Sequence, residues 1–250
     1  MKQLLNKILP NSLVKLFVKS KYKKYNAEIH EQNIKNNQII EIKCNNNKKY
    51  KFLKNIVVKS FSGVLNINEY KFYFHPVAVI CIPDSIESYL KNIGAKSRNM
   101  NKKAEKSFIF CKVFNWNEKL DEIFEINKSS PNRQGREMDK SYTLYPKKLE
   151  NLNESDYSII HIGAFIEENL IGYVELYIYG NFAMTNRILG HKNYLKFGVM
   201  NLMIKKCVEY AIENSIEYIN YLTMQNRKYN SLSAFKNRVG FREYSLMEMK

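Results

Sequence analysis

The order of apolar patterns over the last ninety or so residues constrains this chain most. Two alternating strands run into a basic, glycine-containing turn, His191–Gly198, which leads into an amphipathic helix reaching about Asn214. A strand at Ile216–Leu222, a short helix at Ser231–Val239 and a last strand at Phe241–Met247 follow. A strand that ends at a helix N-terminus leaves backbone N–H groups and the positive end of the helix dipole pointing at whatever anion docks there. The next strand and the short helix supply the opposite wall, so the pattern predicts a cleft at the join.

Upstream, Tyr157–Glu167, Leu170–Tyr179 and Phe182–Leu189 read as three strands, with Glu167-Glu168-Asn169 and Gly180-Asn181 as hairpin turns. Alternation is strict in Tyr173–Tyr179: Tyr173, Glu175, Tyr177 and Tyr179 share one face, and Val174, Leu176 and Ile178 the other. A lone carboxylate among tyrosines has two readings. It is a general base whose pKa burial lifts toward neutrality, or a polar residue bonded to a neighbouring strand.

Earlier still, Phe108–Phe114 reads as a strand and Asn117–Asn127 as a helix. One continuous helix is expected over about 86–105, capped by Asp84 and Ser85. Short apolar runs (Ile39–Ile42, Tyr50–Leu53, Ile56–Val58, Val64–Ile67, Lys71–Phe74, Val77–Ile82) predict a smaller β-rich N-terminal region. The loop from Ser129 to Arg136 sets Arg133, Gln134 and Arg136 around Gly135. Two arginines there can grip a carboxylate or phosphate bidentately, or simply be solvated.

The chain has 250 residues, 45% of them hydrophobic, enough for one large domain or two small ones. Its net charge of +16 is concentrated early, where residues 1–60 carry 14 lysines against 3 glutamates. That bias fits an anionic partner (phospholipid, nucleic acid or a phosphorylated ligand) or a solvated lysine-rich surface. Residues 1–25 place Leu13, Leu16 and Phe17 at helical spacing beside lysines. This is an interfacial helix on an anionic membrane or one packed on its own domain. The four cysteines and four histidines lack metal-ligand spacing, so neither zinc nor a disulfide framework is expected. No secretory signal or membrane-length run stands out, and the expected setting is cytoplasmic, peripheral at most to the inner membrane face.

The succession over residues 108–250 resembles the GNAT acyltransferase fold. Two segments are similar to its FemAB-like branch: Ala95-Lys96-Ser97-Arg98-Asn99-Met100-Asn101-Lys102-Lys103-Ala104 and Ala234-Phe235-Lys236-Asn237-Arg238-Val239-Gly240-Phe241. The resemblance implies an α/β (α+β) fold with a mixed central sheet flanked by helices. It divides the chain into a basic segment 1–25, a β-rich region with a basic helix at 26–106, and an acyltransferase domain at 107–250.

It further implies acyl transfer from acetyl-CoA or another acyl-CoA, without a metal, to an amine or hydroxyl. The implied acceptor is a small molecule, such as an amino sugar, or a peptide or other cell-envelope precursor. Leu189, Gly190, Lys192, Lys196, Phe197, Gly198 and Val199 would hold the donor, although Met200 stands where a second small residue is usual. Backbone N–H groups where Gly190 breaks the pairing would polarise the carbonyl. Glu175 or His161 would take the proton, and Arg98, Arg133, Gln134, Arg136, Tyr173, Tyr177 and Lys236 would face the acceptor. Two alternatives are an aminoacyl-tRNA-dependent peptidyltransferase, with the basic surface as tRNA footprint, and a non-catalytic nucleic-acid-binding protein.

Overall fold

In the computed structural model, residues 28–41, 64–67, 70–73, 76–133, 136–149, 157–224 and 230–247 are described. The segment 1–25, Gln134 and the runs at Tyr50–Leu53 and Ile56–Val58 lie outside them, as does the side chain of Arg136. The strands, in chain order, are β1 (Ile39–Glu41), β2 (Val64–Ile67), β3 (Tyr70–Tyr73), β4 (Val77–Cys81), β5 (Ile109–Val113), β6 (Asn132–Arg133) and β7 (Arg136–Glu137). They continue with β8 (Ser158–Ile166), β9 (Asn169–Tyr179), β10 (Phe182–Gly190), β11 (Tyr218–Asn220) and β12 (Arg242–Met247). The labelled helices are α1 (Ile86–Asn92), α2 (Ala95–Lys106), α3 (Leu120–Lys128), α4 (Val199–Glu213) and α5 (Asn230–Arg238).

A mixed ten-stranded sheet runs β2-β3-β12-β4-β11-β10-β9-β8-β5, with β1 added in parallel to β12. Its centre is the antiparallel meander β8-β9-β10 that the alternation predicts. The chain reverses through left-handed residues at Glu167 (φ 52°) and Gly180 (φ 49°). Val174 and Leu176 of β9 enter one core with Met203, Ile204, Cys207 and Val208 of α4. Tyr173, on the opposite face, packs with Ile123 and Ile126 of α3, Phe165 and Trp116. Period-2 alternation thus becomes two buried faces, one under α4 and one under α3.

The described strands of the N-terminal β-rich region, β1 to β4, join the large sheet. β4 lies between β12 and β11, so residues from both ends of the chain share one sheet.

The helix expected at 86–105 is two helices. Ser85 caps α1 through Oγ, which accepts from Ser88 N–H at 3.2 Å. Ile93 and Gly94 are then extended, and Gly94 N–H bonds to Arg238 C=O at 3.1 Å. Arg98 reaches back from α2 to the free carbonyls of Leu90 and Ile93 at the end of α1. A tertiary hydrogen bond thus breaks a pattern that local propensity would continue.

The break lets α2 lie across the start of α4. Gly198 is buried there with φ 93°, and a Cβ on it would stand 2.3 Å from the Met100 carbonyl oxygen of α2. Positive φ and close backbone approach both demand glycine. Gly198→Ala should lower stability by about 2–4 kcal/mol, combining left-handed strain with overpacking. A guanidinium unfolding curve with an unchanged midpoint would contradict this contact.

Candidate active site

The cleft forms because β11 leaves β10 after three residues. The two strands pair in parallel as Phe182↔Tyr218, Ala183↔Ile219 and Met184↔Asn220, and β10 then continues to Gly190 with β9 alone. Asn220 turns the chain away. Its Nδ2 donates to the carbonyls of Ala78 and Leu222, both at 3.0 Å, and its Oδ1 accepts from Leu222 N–H at 3.1 Å. Leu222 is left-handed (φ 52°), and Tyr221 N–H bonds to Ala78 C=O at 2.8 Å. The chain stays on β4, and among the described residues no strand pairs with the second half of β10 on that side, so the two strands part in a V. Thr185 Oγ1, donating to Asn220 C=O at 3.0 Å, marks its apex.

The far wall is fixed from α5. Lys236 Nζ donates to the carbonyls of Tyr221 (2.7 Å) and Thr223 (2.8 Å), and Ser233 Oγ donates to Met224 C=O at 2.8 Å. Lys236 is buried, and burial lowers its pKa to about 8. Two of its three ammonium hydrogens are taken up by these carbonyls, so its charge stands beside the strand exit.

On the α3 face of the meander sits a buried polar cluster. His161 of β8 and Glu175 of β9 are register partners, and His161 Nε2 lies 3.3 Å from Glu175 Oε2. Trp116 covers the imidazole with its ring centroid 4.7 Å away. Asn186 Nδ2 bonds to Glu175 Oε1, and lies 3.4 Å from the Tyr177 hydroxyl. Asn186 reaches Glu175 because the β9–β10 register slips between Thr185 and Arg187. Such a bulge re-aims a side chain at the strand's bend. The ladder is therefore irregular at Asn186 and not at Gly190, which pairs with Gly172 as the strand's last residue.

Burial does not lift Glu175 toward neutrality. Desolvation raises its pKa, but hydrogen bonds from His161 and Asn186, with the charge of Arg187, outweigh it and hold the carboxyl below its usual range. Glu175 is a buried carboxylate, ionised at neutral pH. Its tyrosine neighbours move the other way: burial pushes Tyr177 up to about 12, and Tyr142 and Tyr173 upward as well. They stay protonated, and Tyr173 O–H donates to Asn127 Oδ1 at 2.7 Å.

The remaining sequence-nominated residues fall in different places. Arg133 donates to the carbonyls of Gly190 and Ile126, both at 3.1 Å, tying the end of β10 to α3. Arg98 is the helix clamp described above. The donor segment is wound into a 3-10 helix, Lys192–Phe197. Several of its N–H groups are already bonded: Lys192 to Ser129 Oγ at 3.1 Å, Asn193 to His191 Nδ1 at 3.3 Å, and Gly198 to Leu195 C=O at 3.3 Å. Lys192 and Lys196 are exposed, and Lys196 and Lys103 both approach the Phe197 ring. Leu189 and Val199 are core, and the Met200 sulfur lies 3.4 Å from where a Cβ on Gly190 would be. Asn186, Arg187 and Asn220 were not among the nominated residues. Among the described residues no group of three metal-binding side chains occurs.

This architecture agrees with the comparisons. Residues 120–241 match the acetyltransferase (GNAT) family. No curated protein matches the sequence significantly. Among solved structures the fold is similar to that of FemX (TM-score 0.55, 12% identity, 77% of this chain and 66% of that one). It is also similar to the C-terminal domain of a putative lysylphosphatidylglycerol synthetase from Agrobacterium fabrum (TM-score 0.47, 12% identity, 78% and 63%). A third is the PaiA N-acetyltransferase of Thermoplasma acidophilum in complex with coenzyme A (TM-score 0.43, 18% identity, 57% and 98%). The chain thus spans just under two thirds of the FemX and synthetase chains.

The depressed pKa of Lys236 has a consequence for stability. Between about 8 and the ordinary 10.5 the folded chain binds fewer protons at this site than the unfolded chain. Its contribution therefore grows as pH rises through that window, and is absent below it. Melting curves from pH 7 to 10.5 should show Lys236→Met losing this upward component relative to the parent. Parallel profiles for the two would contradict a buried, partly desolvated ammonium.

Proposed function

We propose that this chain is an N-acyltransferase whose donor thioester or ester enters the V between β10 and β11. An amine acceptor meets it from the side of Glu175. The observation that carries this reading is the parting of two parallel strands beside the bulge that ties Asn186 to an ionised Glu175. The donor is already activated, so the protein has to align the nucleophile, take a proton and stabilise charge on the carbonyl oxygen.

The Glu175–His161 pair is the proton acceptor in this reading. The amine nitrogen attacks the donor carbonyl carbon and its proton passes to the pair. The tetrahedral intermediate collapses with loss of the thiolate or alkoxide, which the same proton neutralises. Unpaired backbone groups along β10 beyond Thr185, and the Lys236 ammonium across the V, are the groups that would stabilise the oxyanion. Acyl-CoA is the donor we favour, with a small molecule or a cell-envelope precursor as acceptor and a cytoplasmic setting. A peripheral membrane contact through residues 1–25 accompanies this reading as a separate proposal. No helix among the described residues is long and apolar enough to cross a membrane.

One observation favours a second donor, an aminoacyl-tRNA. The Met100 carbonyl closes on Gly198 and neighbouring amides are bonded internally, which leaves little room for a pyrophosphate at the head of α4. A transfer assay with acetyl-CoA or with charged tRNA, scored by mass of the acylated amine, separates the two donors. With whichever donor is used, Glu175→Gln should cut kcat by about 100- to 10,000-fold, the usual contribution of a positioned base. Turnover equal to the parent's would remove Glu175 from the chemistry.

A further inference from the structure

The acceptor side of the site contains a charge that the proposed chemistry does not use. Arg187 of β10 is the direct register partner of Glu175, which places both side chains on the same face of the sheet. The two charges sense one another. Yet they do not meet within the 4.0 Å of an ion pair. At that range the carboxylate has His161. An arginine beside an ionised carboxylate ordinarily closes on it through two parallel hydrogen bonds. Among the described residues no such bond closes between Glu175 and Arg187.

Arg187 also differs from the arginines around it. Arg98, Arg133 and Arg242 each give N–H groups to backbone carbonyls at or near the ends of helices and strands. Among the described residues Arg187 gives none to a carbonyl or carboxylate. Its guanidinium carbon lies 5.5 Å from the Tyr142 ring centroid, and the Tyr173 hydroxyl is its polar neighbour. The residue is half-buried, so most of its five donors are neither paired with protein nor fully returned to water. A planar fork held by stacking on an aromatic ring is suited to a carboxylate or phosphate.

We propose that Glu175 and Arg187, side by side on one face, together receive an acceptor bearing both a primary amine and an acidic group, the amine toward Glu175 and the carboxylate or phosphate in the fork of Arg187. Tyr142 and Tyr177 form the walls. This assignment rests on the acyltransferase reading for its chemistry, but binding alone can test it. A zwitterion satisfies both charges at once, while a simple amine leaves the guanidinium partly desolvated. The seat also aligns the amine: the carboxylate or phosphate anchors the molecule, and the nitrogen, once it has lost one proton to solvent to free its lone pair, is held where Glu175 can take the second as the new C–N bond forms.

The test is calorimetric titration of the full chain with L-alanine against alaninamide, and with glucosamine 6-phosphate against glucosamine. One pair isolates the carboxylate and the other the phosphate. At least one acid-bearing probe should bind roughly 10- to 100-fold tighter than its neutral counterpart, the range expected for hydrogen bonds to a charged group. Arg187→Gln should abolish that ratio and Arg187→Lys, which keeps the charge but not the fork, should retain part of it. Circular dichroism would establish that each variant is folded. Equal binding within both pairs, no binding by either acid-bearing probe, or a preference that survives in folded Arg187→Gln overturns the assignment. Discrimination without acyl transfer to any probe would leave the seat standing and remove the acyltransferase reading instead.

Discussion

The site depends on one side chain, Asn220, at the end of a three-residue strand. A strand that follows its parallel neighbour keeps every backbone group paired, and parting from it exposes groups that need partners. Asn220 resolves this locally. It gives its amide hydrogens to Ala78 and Leu222 and accepts from Leu222, while Tyr221 takes the next bond on β4. The chain thereby leaves β10 while keeping its bonds to β4, so the exit of β11 is not left unpaired. The cost of opening the sheet falls on β10, whose free edge lines the V. Lys236 and Ser233 then hold the departing loop on α5.

The same economy of partners explains the basic residues. At the ends of α1, α3 and β10, and at the exit of β11, carbonyls lack regular partners. Arg98, Arg133 and Lys236 each fill two of them. Burial lowers the pKa of both Arg133 and Lys236, which marks them as desolvated supports of the cleft's frame. Arg187 stands apart because its neighbours are a ring and a hydroxyl, and among the described residues it serves no carbonyl.

How much of this could be read from the residues follows from the range of each interaction. Alternation over Tyr173–Tyr179 gave the face of Glu175, and the two turn signals gave the meander. His161 opposite Glu175 followed once the hairpin register was known. What could not be read depends on partners on other elements. The break at Ile93-Gly94 answers to Arg238, the bulge at Asn186 answers to β9, and the turn at Asn220 answers to Ala78. Positive charge at 98, 133 and 236 is visible in the chain, but the carbonyls it serves exist only after folding. Glu175 takes the second of its two readings, a carboxylate bonded to neighbouring strands: burial, which alone would raise its pKa, is reversed by the donors His161 and Asn186 and the charge of Arg187.

That reversal bears on how the cluster can act. A carboxylate raised toward neutrality is a stronger base but is partly protonated at rest. Glu175 is ionised at rest and correspondingly weak, so it cannot hold a proton against water for long. Its usefulness then comes from position and from His161, which lies within reach to share the proton. A weak, fully ionised base is best matched to an ammonium that it first binds as a counter-ion; that nitrogen loses one proton to solvent to free its lone pair, and the second passes to the base as the C–N bond forms. The uncompensated guanidinium opposite completes the logic: the pair leaves the site close to neutral overall while keeping opposite charges apart. Such an arrangement favours a ligand that carries the mirror image of both.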